Sequence, residues 1–364
     1  MTRLPSNGCT RSHGAPRAYR PQQGVSLIEL MIAMAIGLVL LAALSTLYVA
    51  NSKNHNEFSK TSAQVENGRF ANQSIQRDIA MSGFFGRASL LPTSPTYGNP
   101  DLCATTQTTL GFGTTGGVTL PNSLVGRAIN AATPACLSTY NVVPNSEMLT
   151  VRYVSGDVSA AVDGTNFFLQ LSQCSTDAVP LVFSKVSTDF SLQTLACNGK
   201  AAELRQYVVR TYFLSTCDNC SPSDNIPTLK VAELSGGAVT VSSLVEGIQD
   251  IHYSYGVDQD GNGSPDCYVD DPAIDNSATC TGVATYSWAN AVTNWSNVTT
   301  VRVSVLSRNT DFTAGWTDSR TYNLGRTTVD GGQTTDGPYN DNYKRHVYTS
   351  LARVWNTGGM REIH

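Results

Sequence analysis

A run of 21 residues without a charge, Leu30 to Ala50, restricts what this chain can fold into more than any other feature. As a helix it is roughly 32 Å long, enough to cross the hydrocarbon core of a bilayer. The segment before it has the opposite character. Residues 1–23 are polar and without periodicity, and residues 1–24 hold Arg3, Arg11, Arg17 and Arg20 but no acid. Basic residues ahead of a span predict a cytoplasmic N-terminus, with the rest of the chain carried across the membrane. An ordinary secretory signal is cut after its apolar segment, at small residues. Here the abrupt boundary, Gly24-Val25, comes before the apolar segment.

Glu29 stands at the start of that segment, where a plain signal anchor has no use for it. A carboxylate near the end of a spanning helix costs several kcal/mol unless it is paired, which makes it a functional candidate. If the chain is cut after Gly24, Val25 becomes the first residue and Glu29 the fifth. A free amine at position one and a carboxylate at position five can then neutralise each other between neighbouring helices, and so register one copy against the next.

The stretch Gly24-Val25-Ser26-Leu27-Ile28-Glu29-Leu30-Met31-Ile32-Ala33 resembles the processing site of type IV prepilins. The resemblance implies cleavage after Gly24 by prepilin peptidase, N-methylation of Val25 and a subunit-docking role for Glu29. Val25 stands where major pilins usually have Phe, which suits a minor subunit. Further on, Gly68-Arg69-Phe70-Ala71, Ile75-Gln76-Arg77-Asp78-Ile79 and Ser82-Gly83-Phe84-Phe85-Gly86 resemble the PilW family of pilus assembly proteins. Three later segments are similar to closing strands of that family: Val245 to Ile251, Val301 to Leu306 and Arg345 to Ser350. What the family implies is a minor pilin that primes pilus assembly at or near the fibre tip, in adhesion and twitching motility. Its partners would be other minor pilins, the major pilin, the inner-membrane assembly platform and a tip adhesin. The alternatives are a pseudopilin of a type II secretion system and an adhesin whose head binds a receptor from a pilin stalk.

The chain stays free of proline from Ala50 to about Ser82, which predicts one helix from Val25 to Ser82. Phe58, Val65, Ile75 and Ile79 are its expected apolar stripe, and Gly83 with Gly86 its stop. Beyond residue 87 the pattern is β. Alternating segments occur at 147–154, 167–171, 207–214, 228–231, 251–255, 300–306 and 347–354, with no helix-period segment between them. The expected fold is therefore α+β and pilin-like, with a long helix packed on a large antiparallel sheet. The expected parts are a leader (1–24), a transmembrane half-helix (25–50), an amphipathic half-helix (51–86) and an exported β-rich head (87–364).

Nine cysteines include Cys9 in the leader, so eight remain after cleavage: Cys103, Cys136, Cys174, Cys197, Cys217, Cys220, Cys267 and Cys280. An even number in an exported domain predicts disulfides. Eight cysteines allow 105 pairings, of which the sequence-local set (103–136, 174–197, 217–220, 267–280) is the working expectation. Cys217-Asp218-Asn219-Cys220 has redox or half-zinc spacing, but it lacks a second such pair and reads as a structural disulfide.

Asp258-Gln259-Asp260-Gly261-Asn262-Gly263-Ser264-Pro265-Asp266 follows the first nine places of a calcium loop, with Asp258, Asp260, Asn262, Ser264 and Asp266 as the ligands. The twelfth-place Glu is missing, and Asp-Gly and Asn-Gly also build plain hairpin tips. No other cofactor is implied. Gly111 to Gly116 matches G-x-G-x-x-G without opening a helix. His55, His252, His346 and His364 are scattered, and no G-x-S-x-G or H-E-x-x-H occurs, so an enzyme is not expected. Tyr253, Tyr255, Trp288, Trp295, Trp316 and Trp355 are expected in the core. The chain carries 24 Lys and Arg against 28 Asp and Glu. Without residues 1–24, 20 basic residues face 28 acidic ones, a balance of −8 that repels phosphate; no nucleic-acid partner is expected.

Overall fold

The computed structural model describes residues 24–87, 95–327 and 334–361. Most of the expected leader (1–23, with Cys9) and His364 lie outside the described residues. Helix α1 runs from Leu27 to Met81 and is a single element of 55 residues, without a break near Asn51. It ends where Gly83 turns into the left-handed region (φ 76°), a conformation open to glycine at little steric cost.

By its contacts the chain divides into residues 1–56 and residues 57–364. In the first part, fifteen large apolar side chains from Leu27 to Val49 are each 50–77% exposed. The second part contains the rest of α1 and a β-rich head, with thirteen strands among the described residues. In chain order come β1 (Thr96–Gly98), β2 (Thr119–Pro121), β3 (Leu124–Arg127), β4 (Met148–Val154), β5 (Phe168–Leu171), β6 (Leu181–Ser184), β7 (Leu204–Ser215), β8 (Thr228–Ser235), β9 (Ala238–Glu246), β10 (Ile248–Val257) and β11 (Cys267–Val269), followed by α2 (Ala291–Ser296), β12 (Val298–Arg308), β13 (Arg345–Arg353) and α3 (Trp355–Arg361).

A seven-stranded sheet is ordered β3-β4-β7-β5-β6, with β8 pairing β7 and β9 at the edge. A four-stranded sheet is ordered β11-β10-β12-β13. All of these pairs are antiparallel; only the small β1–β2 pair is parallel. The tight turn at Gly236-Gly237 leaves β8 and β9 no pairing but an antiparallel one. Between Val245 and Ile251 the chain is not one strand but the junction of β9 and β10. Gly247 makes that turn at φ 72°, and a Cβ there would sit 2.6 Å from the Arg308 carbonyl. A residue with a side chain is excluded by both facts.

The main core joins Ala71, Ile75 and Ile79 of α1 to Leu149, Val151 and Tyr212 of the large sheet and to Val301, Val303 and Val305 of the small one. Against expectation, Phe58 is 75% exposed and Val65 38%. The buried side of α1 is instead Gln64, Gly68, Ala71, Asn72, Ile75, Asp78 and Ile79. These residues still follow helical spacing, but three of the seven are polar and Gly68 has no side chain. Of the expected core aromatics, Tyr253, Tyr255, Trp288 and Trp295 are buried. Trp316 is half-buried. Trp355 is 58% exposed, with the Arg353 guanidinium over its ring.

Four disulfides close loops in the head: Cys103–Cys136, Cys174–Cys197, Cys217–Cys220 and Cys267–Cys280. Gly111 to Gly116 lies in irregular chain, where Gly113 bridges to Thr119, and no helix follows it.

Candidate functional site

The N-terminal site is built on the first turn of α1. Ser26 precedes the helix and its carbonyl accepts the Leu30 N–H at 3.1 Å. The Ser26 N–H donates to Glu29 Oε2 at 2.9 Å. The pair is one half of a capping box, S-x-x-E, which satisfies an amide that a helix start leaves free. Its carboxylate also faces the positive end of the helix dipole. The S-x-x-E spacing was legible in the sequence, but the demand for a partner for Glu29 drew attention to other chains rather than to Ser26. Glu29 remains exposed, as do Gly24 and Val25. The carboxylate therefore has lone pairs free for a second donor while it caps the helix.

The apolar residues that follow are long enough as a helix to cross a membrane, and none of the most apolar window is buried. A helix satisfies its own backbone and so tolerates lipid. In water, a bare apolar surface of this extent is an association site.

From Glu57 onward, polar contacts join the apolar core in holding α1 to the head. Gln64 Nε2 donates to the carbonyls of Ser307 (2.8 Å) and Lys344 (3.0 Å). Asn72 Nδ2 donates to the Tyr348 carbonyl at 3.2 Å, and the Ser350 hydroxyl donates to Asn72 Oδ1. Asp78, 3% exposed, accepts from Tyr212 Oη (2.6 Å), Tyr153 Oη (3.1 Å) and Arg210 (3.3 Å). Burial, followed by the nearby Asp78 charge, drives the Tyr212 and Tyr153 hydroxyls far above the ordinary tyrosine range, so both stay donors. Gly68 lets the helix approach the sheet, since a Cβ there would fall on the Tyr348 ring. This polar face explains why apolar periodicity misjudged the helix: the head offers carbonyls and hydroxyls, and α1 answers with amides and a carboxylate.

The Asp258–Asp266 loop brings carboxylate oxygens of Asp258, Asp260 and Asp266 within 4.8 Å of one another. Asp258 is 1% exposed. Its Oδ1 accepts the amides of Gly261 (2.8 Å) and Asn262 (3.1 Å), and its Oδ2 that of Gly263 (3.0 Å). Asn262 Nδ2 donates to Asp260 (2.8 Å), while Asn262 Oδ1 accepts the Ser264 amide (2.8 Å). Asp266 Oδ2 accepts the Gln259 amide at 2.6 Å. A guanidinium also enters the cluster: Arg361 of α3 lies 3.1 Å from Asp258 Oδ2 and is anchored on Ser296 and Asn297. The donors suit a hard divalent cation, and each carboxylate keeps lone pairs for one. The Asn262 side chain also shapes the turn, through Asp260 and the Ser264 amide. Arg361, about a hundred residues away in sequence, gave no local signal.

A second buried cluster lies around Glu147. Glu147 Oε1 is 2.8 Å from His252 Nδ1 and 3.2 Å from Arg326 Nε. His252 Nε2 is 3.3 Å from Asp270, close enough for an ion pair though not aligned as a hydrogen bond. Arg326 also pairs with Asp250 (3.0 Å) and Asp336 (2.9 Å). Burial pulls the imidazole down, but Asp270 and Glu147 on its two ring nitrogens outweigh that and raise it to about 9. The cluster ties the chain after β12 to β4 and β10; it faces no nucleophile or open cleft among the described residues. His55 and His346 are exposed on α1 and β13, so the described histidines do not converge.

Residues 19–45 match the prokaryotic N-terminal methylation motif, and residues 211–356 match the family of type IV pilus-assembly protein W. No curated protein and no solved structure matches the chain. The first match lies on the start of the apolar helix that Glu29 caps, and together the two matches support a type IV pilus-associated pilin. The second covers β8 to β13 and the ends on either side. Residues 211–356, less than half of the chain, are thus similar to a family of type IV pilus assembly proteins.

Proposed function

We propose that this protein is a minor pilin that helps to prime type IV pilus assembly and is incorporated at or near the fibre tip. The observation that carries this reading is the pairing of a prepilin boundary, Gly24-Val25, with an apolar helix whose large side chains stand wholly uncovered. Before assembly the helix anchors the chain in the inner membrane with its head in the periplasm. Prepilin peptidase removes the leader after Gly24, and Val25 becomes a methylated N-terminal amine. In the fibre the uncovered side chains bury against helices of neighbouring pilins, each large side chain contributing about 1.5–3 kcal/mol. Glu29 turns from the Ser26 amide toward a neighbour's amine, or serves both, and this sets the axial register. A large head suits a tip, where no subunit above can clash with it.

The partners are other minor pilins, the major pilin, the inner-membrane platform and a tip adhesin, and the uses are adhesion and twitching motility. Calcium at Asp258, Asp260 and Asp266 would stiffen their loop by relieving repulsion among three carboxylates, of which Arg361 pairs with only one.

Glu29 substitutions test the proposal, because Gln completes a capping box as Glu does but carries no charge. In cells lacking the native copy, Glu29→Gln is expected to accumulate as processed, membrane-bound protein, to leave few pili and to be missing from sheared fibres. Immunogold on wild-type fibres should label ends. Normal piliation by Glu29→Gln, or label spread evenly along shafts, would contradict the reading.

A further inference from the structure

The pair Cys217–Cys220 differs from the other three disulfides in what surrounds its sulfurs. It sits in the turn that leaves β7 and leads to β8. Cys217 is 1% exposed, whereas Cys220 is half-exposed beside exposed Asn219 and Ser221. Lys230 on β8 reaches back beneath this turn. It is 6% exposed, and its ammonium donates to the Asp218 carbonyl at 3.0 Å and to Cys220 Sγ at 3.8 Å. Among the described residues it makes no ion pair with a carboxylate. A buried ammonium without a counter-anion is costly. Reduction of the disulfide would create such an anion at Cys220.

The other sulfur is also set among donors. Asn141 Nδ2 donates to Cys217 Sγ at 3.4 Å and Thr216 Oγ1 at 3.7 Å. Asn141 is itself fixed, since its carbonyl accepts the Thr216 amide at 2.9 Å. The Ser215 hydroxyl lies 3.8 Å and 3.9 Å from the two sulfurs, though its proton is shared with the Tyr140 and Cys217 carbonyls. The turn's acids oppose a thiolate: Asp218 is in the loop, and Asp224 sits beneath it with its oxygens on the amides of Asp218, Asn219 and Ile226. Of the charged groups, only the Lys230 ammonium touches a sulfur. None of the other three disulfides has a cation on its sulfur among the described residues; Cys174 meets only the Thr176 hydroxyl and Cys103 only the Cys136 amide.

We propose that Cys217–Cys220 is a redox-active disulfide, opened by the dithiol form and reformed by the disulfide form of a protein of the thiol–disulfide oxidoreductase class, while the other three are structural. Donors that stabilise the reduced form make a disulfide more oxidising and quicker to exchange. A thiolate of the external dithiol attacks the accessible Cys220 Sγ and breaks the bond to Cys217, which leaves as a thiolate held by Asn141 and Thr216. The external partner's second thiol, as its thiolate, then attacks its own sulfur in the mixed disulfide and releases Cys220 beside Lys230. The external dithiol departs as a disulfide. Two electrons have passed to Cys217 and Cys220; of the two protons given up by the external thiols, one is taken by Cys217 and the other goes to solvent, while Cys220 stays a thiolate beside Lys230. The opened turn is no longer clamped between β7 and β8, so the head's edge toward β9 can change shape with redox state.

The test uses the whole processed chain, equilibrated with reduced and oxidised dithiothreitol at stepped ratios. Thiols are trapped by alkylation and assigned by peptide mass. The expected result is that Cys217 and Cys220 become labelled at a reduced-to-oxidised ratio at least about tenfold lower than any other pair. Lys230→Met should raise the ratio needed by about tenfold, and Lys230→Arg should restore most of the difference. The proposal is overturned if the pair opens together with or after Cys103–Cys136, a comparison made on wild-type protein alone. It is equally overturned if Lys230→Met opens as readily as wild type.

Discussion

Replacing Asp78 tests how α1 is held to its head. The carboxylate is 3% exposed and accepts from two tyrosine hydroxyls at 2.6 and 3.1 Å. Hydrogen bonds to a charged acceptor contribute roughly 1.5–3 kcal/mol each. Loss of Asp78 also leaves the Tyr212 hydroxyl buried without its acceptor. The Arg210 contact adds little, because that side chain is 35% exposed and solvent screens it. Asp78→Ala should therefore destabilise the head by about 3–5 kcal/mol. In a domain of this size that lowers Tm by about 6–10 °C at roughly 2 °C per kcal/mol. Asp78→Asn keeps one acceptor oxygen and should lie between the two. The assay is urea unfolding and calorimetry of the head with its half-helix, with and without Tyr212→Phe. The double variant should lose less than the sum of its parts, because both changes remove one bond. A loss under about 1 kcal/mol for Asp78→Ala, or full additivity with Tyr212→Phe, would refute the reasoning.

Three further outcomes follow from the same geometry. Gly68→Ala drives a methyl into the Tyr348 ring and should cost about 1–3 kcal/mol, recovered in part by Tyr348→Ala; equal loss in both backgrounds would exclude the contact. The His252 pKa rises from about 6.5 unfolded to about 9 in the fold. Its stabilisation is therefore full below pH 6.5 and disappears as pH climbs through about 9. The Tm gap between wild type and His252→Gln should narrow from pH 7 to pH 10, and a constant gap would count against it. If calcium occupies the Asp258 cluster, EGTA should lower Tm by several degrees in wild type but not in Asp258→Asn with Asp260→Asn; an unchanged wild-type Tm leaves Arg361 as the only cation there.

The sequence announced α1 well, because its limits are set by local chemistry: a charge boundary at Gly24, a cap at Ser26 and Glu29, and a left-handed glycine at position 83. Which side of α1 faces the head was not legible. Phe58 and Val65 look like core and are exposed, while Gln64, Asn72 and Asp78 look like surface and are buried. The cause is long-range, since carbonyls of Ser307, Lys344 and Tyr348 and the hydroxyls of Tyr153 and Tyr212 reward polar side chains at those positions. The strands at 147–154 and 300–306 were visible as alternation. β9 was not separable from β10, because only Gly247 interrupts an otherwise continuous β pattern. The acidic loop was visible as a motif; the Arg361 that enters it was not, because it lies 103 residues further along the chain. Lys230 beside Cys220 was equally hidden, since a lysine in an alternating strand ordinarily reads as a solvated face.

The central claim is that this chain is a prepilin whose Val25 becomes the pilin N-terminus. Intact mass and N-terminal sequencing, on protein expressed with and without its cognate prepilin peptidase, test it most directly. The account predicts a chain that begins at Val25 and carries one methyl group only when the peptidase is present. A chain that keeps residues 1–24 beside active peptidase would contradict it.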